Sequence, residues 1–241
     1  MDLKEIYIWN IKFNLLSAKE IVEIVNAWFA EGRKGIHLTG VDACVLVQAQ
    51  DDALLRKAIL ESDIVNVDSY LPAKRLAQRG YPIKERVTTP DLMEEFFQMA
   101  DEKEQKVFLF GAKEETIRLL VDVLTEEYPK MQIVGYRNGY YTPEEESSIV
   151  EQISSLAPDY LFIGMPSPRK EHFILKYKDK INAGMLLGVG GAFDAKAGVL
   201  KRPPKFLRGH MGEAFFRIIR NPRQYGSRVL YLFPFLRITR N

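Results

Sequence analysis

Six short apolar runs recur along residues 35–190, separated by stretches in which apolar residues have helical spacing. This alternation constrains the fold more than any other feature of the chain. Strands that alternate with helices of this length form parallel βαβ units, because a parallel connection must cross the sheet. The runs are apolar almost throughout, which is typical of strands covered on both faces. The predicted strands are 35–39, 64–68, 107–111, 132–136, 160–165 and 185–190, and the helical patterns lie near 51–61, 71–79, 90–102, 114–127, 143–156 and 168–178.

The ends of these segments carry helix-start signals. The alternating residues 6–13 predict a further strand, and Ser17 is a suitable N-cap for a helix over about 18–31. Thr89 and Thr142 each precede a proline and an acidic first turn, as N-caps do. We therefore predict an α/β fold: a Rossmann-like layered domain over residues 1–198, with a mostly parallel sheet flanked by helices.

Residues 199–241 differ sharply in charge from the rest of the chain. They contain ten Lys and Arg against one acid, Glu213, and seven aromatic residues, so this segment carries +9 while residues 1–198 carry −7. A basic, aromatic segment on an acidic body indicates a polyanionic partner or an anionic surface. Its apolar density favours a lipid surface over nucleic acid. We predict a helical, membrane-associating appendage here, with an amphipathic helix near 209–220.

Composition excludes several other classes. The 241 residues are 46% hydrophobic and 27% charged, which is ordinary for a globular protein and unlike a disordered chain. A single cysteine, Cys44, forms no intramolecular disulfide and favours a reducing compartment. No signal peptide or spanning apolar stretch is expected. The P-loop, the zinc-binding HExxH and CxxC motifs and the GxSxG elbow are missing from the sequence, so no cofactor or metal is expected.

Ligands of open parallel sheets bind beyond the carboxyl ends of the strands. Asp68 ends one predicted strand, where it is either a general base or a helix N-cap. Residues 188–193 resemble a dinucleotide fingerprint only loosely, because Phe193 takes the place of the third glycine. This glycine turn either brings backbone N–H groups to a phosphate or is a tight turn without a ligand. Arg86 either binds an anion or is a structural charge.

Taken in order, these segments resemble the bacterial WecG/TagA/CpsF glycosyltransferases. The resemblance extends from about residue 5 to 228 and is carried by VNVDSY, ERVTTPDLM, VFLFGAKEE, YPKMQIVGYRNGYY, PDYLFIGMPSPRKE, GVGGAFDAKAG and the final RPP, GEAFFR and NPR. It implies a cytoplasmic enzyme, peripheral at the inner face of the cell membrane. Such an enzyme moves a sugar from a UDP-sugar to a polyprenyl-diphosphate-linked sugar, without a metal and with inversion, in cell-surface polysaccharide synthesis.

The resemblance also implies roles for individual residues. Asp68 matches the catalytic base, and Thr39 matches a polar residue of the same pocket. The implied substrate-binding residues are Arg86, Lys170, Gly190, Gly191, Asp194, Arg217 and Arg223, the last two in the basic appendage. The sequence departs from the family pattern at Val41, Ser69, Thr89–Pro90, Pro166 and Lys170. We interpret these departures as altered donor or acceptor choice, with Lys170 suited to a donor of extra negative charge.

Two other functions stay open from the sequence. The first is a non-catalytic protein that binds a nucleotide-sugar or a polyanion at a membrane assembly. The second is an NAD-dependent enzyme, against which Phe193 argues. The sequence predicts no nucleic-acid partner and leaves homo-oligomerisation open.

Overall fold

The computed structural model describes residues 3–200, 219 and 226–240. The strands are β1 (Ile6–Ile8), β2 (Ile11–Phe13), β3 (Ile36–Val41), β4 (Ile64–Val67), β5 (Lys106–Gly111), β6 (Gln132–Arg137), β7 (Tyr160–Gly164) and β8 (Met185–Gly188). The helices are α1 (Ala18–Ala30), α2 (Ala43–Asp51), α3 (Ala53–Leu60), α4 (Tyr70–Gln78), α5 (Thr89–Glu102), α6 (Glu114–Glu127), α7 (Glu146–Leu156), α8 (Arg169–Tyr177), α9 (Ala192–Lys196) and α10 (Leu232–Ile238). Short 3-10 turns cover Pro143–Glu145 and Gly226–Tyr231.

Six strands form one parallel sheet in the order β4-β3-β8-β7-β5-β6. The predicted α/β class is therefore confirmed, and all six strands predicted over residues 35–190 are present. The sheet places the carboxyl ends of β4, β3, β8 and β7 side by side at one edge. That edge is where a parallel sheet offers a ligand site.

The first predicted strand, over residues 6–13, is wrong. The segment is a β-hairpin in which Ile6 pairs with Phe13, and Trp9 and Asn10 form its turn with φ of 55° and 60°. Two consecutive residues of positive φ are the geometry of a type I′ turn, which matches the twist of paired strands. The chain therefore reverses in the middle of the alternating pattern.

Helix starts were predicted more accurately than helix number. Ser17 caps α1 through a capping box with Glu20. Thr142 forms a capping box with Glu145, although the first turn it caps is 3-10. The N-cap of α5 is Thr88, one residue before the predicted Thr89, because the backbone N–H of Thr89 already lies inside the helix. Helices α2 and α9 were not predicted.

Helices cover both faces of the sheet and bury three apolar clusters. The first cluster lies under α1, α5, α6 and α9, the second joins the hairpin, α2, α3 and α10, and the third lies under α7 and α8. Strand β2 lies beside β4, where the backbone of Asn14 donates to Val65 O at 2.8 Å and Asn14 Oδ1 accepts from Val65 N at 2.9 Å. These two bonds pair the backbone groups of Val65, which would otherwise be unpaired at the outer edge of β4.

The end of the chain returns to this second cluster. Phe235 on α10 is fully buried there, and Gln48 on α2 donates to the hydroxyl of Tyr231 at 3.1 Å. Phe233, Leu236, Arg237 and Arg240 are exposed and recur at the spacing of one helix face. The predicted helix near 209–220 falls outside the described residues except for Ile219.

Candidate active site

The carboxylate of Asp68 lies at the amino terminus of α5. Its Oδ1 accepts a hydrogen bond from the backbone N of Thr89 at 2.6 Å, while Ser69 is the N-cap residue of α4. Asp68 therefore caps a helix distant in sequence rather than the helix that follows it. A helix N-terminus carries a partial positive charge, so this contact orients the carboxylate. Asp68 is half-buried, so one side of it faces solvent.

Gly40, not Thr39, is the residue of β3 that faces Asp68. A Cβ atom on Gly40 would lie 2.4 Å from Thr89 Oγ1 and 3.3 Å from Asp68 Cβ. Successive side chains of a strand point to opposite faces, so Thr39 points away from Asp68. Thr39 is buried on that other face, where its Oγ1 lies 2.8 Å from Ser62 Oγ and 3.0 Å from His37 Nε2. The structure thus does not bring Thr39 into a pocket with Asp68, as the resemblance implied.

Asn66 lies on the same face as Asp68, two residues earlier in β4. It is buried, and its Nδ2 donates to Val87 O at 2.7 Å. This bond ties the segment between α4 and α5 to the sheet. Sequence reasoning missed Asn66, although it is the one polar residue of a strand that is otherwise apolar.

Arg86 lies in that same segment, between two anchored residues. Val87 is held by Asn66, and Glu85 Oε1 accepts from the backbone N of Ala18 at 2.5 Å. The half-buried Arg86 precedes Thr89 by three residues. Arg86 therefore lies on the anchored loop that leads directly to Thr89, whose backbone N–H holds Asp68.

Glycines form the edge above the central strands β7 and β8. The ring of Phe193 lies so close to Gly164 that a Cβ there would come within 2.2 Å of it. Phe193 is fully buried, which explains why an aromatic residue stands at the third position of the glycine turn. Gly190 has φ of +55°, and among the described residues Met165 O is the one atom within 4 Å of its missing Cβ, so those residues leave the turn at Gly190 uncovered.

Asp194 follows this turn on α9. Thr116 Oγ1 donates to Asp194 Oδ1 at 3.5 Å, which is the far limit of a hydrogen bond. Burial raises the pKa of the Asp194 carboxyl, and the Thr116 hydroxyl and the charge of Lys113 oppose this with smaller effects. Lys196, two residues on, bonds Glu94 on α5 at 2.6 Å and so ties α9 to the body of the domain.

Lys170 lies over the end of β8 but its charge is already matched. Its ammonium contacts both Ser167 Oγ and Glu171 Oε1, and Ser167 Oγ donates to the same Glu171 oxygen at 2.7 Å. Both charged side chains are buried, and a Cβ on Gly188 would lie 2.8 Å from Lys170 Cδ. The pair is therefore part of the packing at this edge, with little net charge to offer a ligand.

Some expectations concern residues that the structure does not describe, namely Arg217 and Arg223. Within residues 3–200, 219 and 226–240, no group of three or more His, Cys, Asp or Glu side chains is placed to hold a metal ion. No helix in those ranges is both long enough and apolar enough to cross a membrane.

Comparison with known proteins gives this site its context. The sequence model described as "Glycosyl transferase WecG/TagA/CpsF family" matches residues 6–240, which is nearly the whole chain. The chain belongs to the WecG/TagA/CpsF family. The resemblance stated from the sequence is thereby confirmed, and Asp68, Arg86 and the glycine turn all lie within the matched range.

Individual WecG/TagA/CpsF relatives carry the name N-acetylglucosaminyldiphosphoundecaprenol N-acetyl-beta-D-mannosaminyltransferase. The protein of Bacillus subtilis (strain 168) is 32% identical over 140 residues, which cover 58% of this chain and 54% of that protein. The Bacillus spizizenii protein is 31% identical over 147 residues, covering 61% and 56%. The alignments thus span about half the length of these two relatives. A Staphylococcus aureus (strain MW2) protein is 25% identical over 220 residues, covering 91% and 86%.

Proposed function

We propose that this chain transfers a sugar from a UDP-sugar to a polyprenyl-diphosphate-linked sugar in the synthesis of a cell-surface polysaccharide. The relatives' printed name describes a mannosaminyl transfer to an acceptor of this kind, which supports the acceptor class. The observation that carries the proposal is the Asp68 carboxylate, held by the N-terminus of α5 at the carboxyl edge of the sheet. A carboxylate so placed is suited to act as a base toward a hydroxyl group.

In the proposed reaction, Asp68 accepts the proton of the acceptor hydroxyl as that oxygen attacks the anomeric carbon of the donor. The bond between this carbon and the diphosphate oxygen breaks, and UDP leaves with the bonding electrons. A single displacement of this kind inverts the anomeric carbon. The proton resides on Asp68 until product release, and the charge on the leaving group is the main electrostatic demand on the site.

Arg86 and the backbone N–H groups at Gly190–Gly191 are proposed to meet that demand without a metal. Guanidinium groups bind diphosphate oxygens through paired hydrogen bonds, and backbone N–H groups in a glycine turn act similarly. Asp194 is proposed to contact the donor on the nucleotide side, and Arg217 and Arg223 to add charge from the basic segment. Lys170 is proposed to affect substrate binding through its packing over Gly188 rather than through its charge, because Glu171 neutralises that charge.

The exposed face of α10 supports a peripheral membrane location, at the inner face of the cell membrane. Phe233 is 77% exposed and Leu230, in the preceding turn, 75% exposed, beside Arg237 and Arg240. Apolar side chains next to cations suit the interface of an anionic membrane. This location places the enzyme where a lipid-linked acceptor is held.

The test is a UDP-release assay with a panel of UDP-sugars and a short-chain polyprenyl-diphosphate-linked sugar, with and without EDTA. Acceptor-dependent release from one donor, unchanged by EDTA, supports the proposed reaction and identifies the sugar. Release that EDTA abolishes contradicts the metal-free mechanism. Tight binding of a UDP-sugar without release from any donor would favour the non-catalytic binding protein instead. The anomeric configuration of the product, read by NMR, tests inversion.

A further inference from the structure

An open surface cavity of about 330 Å³ lies between the last turn of α4 and the end of α10. Its lining residues are Arg75, Gln78, Arg79, Thr239 and Arg240. Three of these described residues carry a guanidinium group and none is acidic. A concave surface lined with charge of one sign concentrates counter-ions, so this cavity attracts anions. We refer to it below as the arginine cavity.

Two of the three guanidinium groups are held by neighbouring polar atoms. Arg79 Nη2 donates to Thr239 O at 3.2 Å, and Arg75 Nη1 donates to Gln78 Oε1 at 3.2 Å. Thr239 is itself fixed, because it is buried and its Oγ1 donates to Phe235 O at 2.8 Å. Donors already held in place lose less conformational freedom when a ligand binds.

The chemistry of the lining suits a phosphate group, whose charge and several oxygens can engage more than one guanidinium. Each guanidinium offers a planar fork of N–H donors that matches the oxygens of a phosphate group. The volume is several times the roughly 30 Å³ that a water molecule occupies in the liquid, so a phosphate group fits. The NH₂ group of the Gln78 side chain can donate a further hydrogen bond to a phosphate oxygen.

The arginine cavity is separate from the proposed active site. Helix α4 begins next to Asp68, but Arg75, Gln78 and Arg79 lie in its second half. Nine residues at 1.5 Å each place its far end about 13 Å from the end near Asp68. The cavity instead adjoins the end of α10, whose outer face exposes Phe233 and Leu236.

We propose that the arginine cavity binds a phosphate group, supplied either by an anionic lipid headgroup or by a soluble phosphate. The lipid source extends the membrane contact proposed above, whereas the soluble source is independent of it. The test measures binding without donor or acceptor. The result for phosphate binding is therefore independent of the result for the transferase reaction, and either proposal can fail while the other holds.

The experiment compares Arg75→Gln with Lys74→Gln in the full chain. Arg75 lines the cavity, whereas Lys74 is its exposed neighbour on α4 and lies outside the lining. Both variants remove one positive charge from the same helix turn. Arg79 is left intact because it also holds the end of α10. One arm measures flotation with phosphatidylcholine vesicles with or without phosphatidylglycerol, and the other titrates inorganic phosphate by calorimetry.

We expect Arg75→Gln to weaken binding by about tenfold in at least one arm, the effect of losing one charged hydrogen bond, and Lys74→Gln by less than about twofold. Loss confined to the vesicle arm identifies a lipid headgroup, and loss in the calorimetric arm identifies phosphate itself as sufficient. Equal weakening by the two variants would overturn the proposal, since it would indicate diffuse surface charge. Failure of the wild-type chain to bind either probe saturably would overturn it as well. Thermal unfolding of both variants checks that the fold is intact.

Discussion

Asp68 and Thr89 are 21 residues apart in sequence, yet the Asp68 carboxylate accepts a hydrogen bond from the backbone N–H of Thr89, the first residue of α5. The contact couples the carboxyl end of β4 to the start of α5. This hydrogen bond orients the carboxylate before any substrate arrives, which is the condition for efficient proton transfer to the proposed base.

Asp68→Asn is expected to lower turnover by roughly 10²- to 10⁴-fold, the usual contribution of a general base. The fold should persist, because an amide oxygen can still accept the Thr89 N–H. The control is Asp52→Asn, which alters another helix-capping carboxylate, the N-cap of α3, whose other side-chain partner is His172. UDP release and thermal unfolding are measured for both variants. Wild-type turnover in Asp68→Asn would remove Asp68 from the mechanism.

Gly40→Ala is expected to damage both stability and activity. The added methyl would lie 2.4 Å from Thr89 Oγ1, so Thr89 or β3 must move and the Asp68 contact loosens. Overpacking of this kind destabilises by about 1–3 kcal/mol. Gly226→Ala serves as the control, because no atom of the described residues lies within 4 Å of its missing Cβ. Urea unfolding and UDP release are compared, and equal effects of the two substitutions would contradict the close approach.

Lys170→Met is expected to destabilise the chain by about 3–5 kcal/mol, since it leaves the buried Glu171 without its cation. Lys170→Gln should be milder, because an amide still donates to the Glu171 carboxylate. The same variant tests donor choice: with Glu171 matching the charge, we expect Lys170→Gln to leave the preference between neutral and acidic UDP-sugars unchanged. A shift toward neutral donors would show instead that the Lys170 charge reaches the substrate.

The buried His37 makes the free energy of unfolding depend on pH in the acid range. Burial, together with the charges of Lys178, Lys170 and Lys12, lowers the pKa of His37 from 6.5 to about 3. Between these two values the unfolded chain binds a proton that the folded chain does not, so stability falls as the pH drops through this window. One proton corresponds to about 1.4 kcal/mol per pH unit. His37→Gln should reduce this slope in urea unfolding at pH 7, 5.5 and 4.5, whereas parallel slopes would contradict it.

Phe235 and Phe233 are two residues apart on α10 but are expected to behave oppositely. Phe235→Ala should lower the free energy of unfolding by about 3–5 kcal/mol, because the ring is fully buried. Phe233→Ala, at a 77% exposed position, should change stability by less than about 0.5 kcal/mol. It should instead weaken flotation with anionic vesicles. Unchanged flotation in Phe233→Ala would remove α10 from the proposed membrane contact.

The sheet could be predicted from the sequence because most of its strands are buried on both faces. Strands β4, β7 and β8 are nearly continuous apolar runs, the edge strand β6 is only half-buried, and the helices between the strands carry clear spacing and caps. Helix α2 was missed because Val45, Leu46 and Val47 are consecutive and show no helical period. The hairpin was missed because Trp9–Asn10 has none of the glycine that usually marks a type I′ turn.

A site residue could be predicted from the sequence where it ends a strand. It could not be predicted where its role depends on which face of the sheet its side chain occupies. Asp68 stands out at the end of an apolar run, whereas choosing between Thr39 and Gly40 requires knowing that β3 continues to Val41. A shift of one residue exchanges the two faces of a strand, so Thr39 and the adjacent Gly40 point to opposite sides of the sheet. The burial of Glu171 beside Lys170 depends on how α8 packs, which local sequence does not encode.

The burial of Phe235 beside residues of the amino-terminal hairpin has a consequence for synthesis on the ribosome. Trp9, Phe13 and Phe235 share one apolar cluster, so the core around the hairpin closes only once α10, more than 200 residues later in the sequence, has been made. A chain that stalls before residue 235 leaves part of this cluster exposed to water and open to aggregation. This cluster is therefore completed only after α10 has emerged from the ribosome.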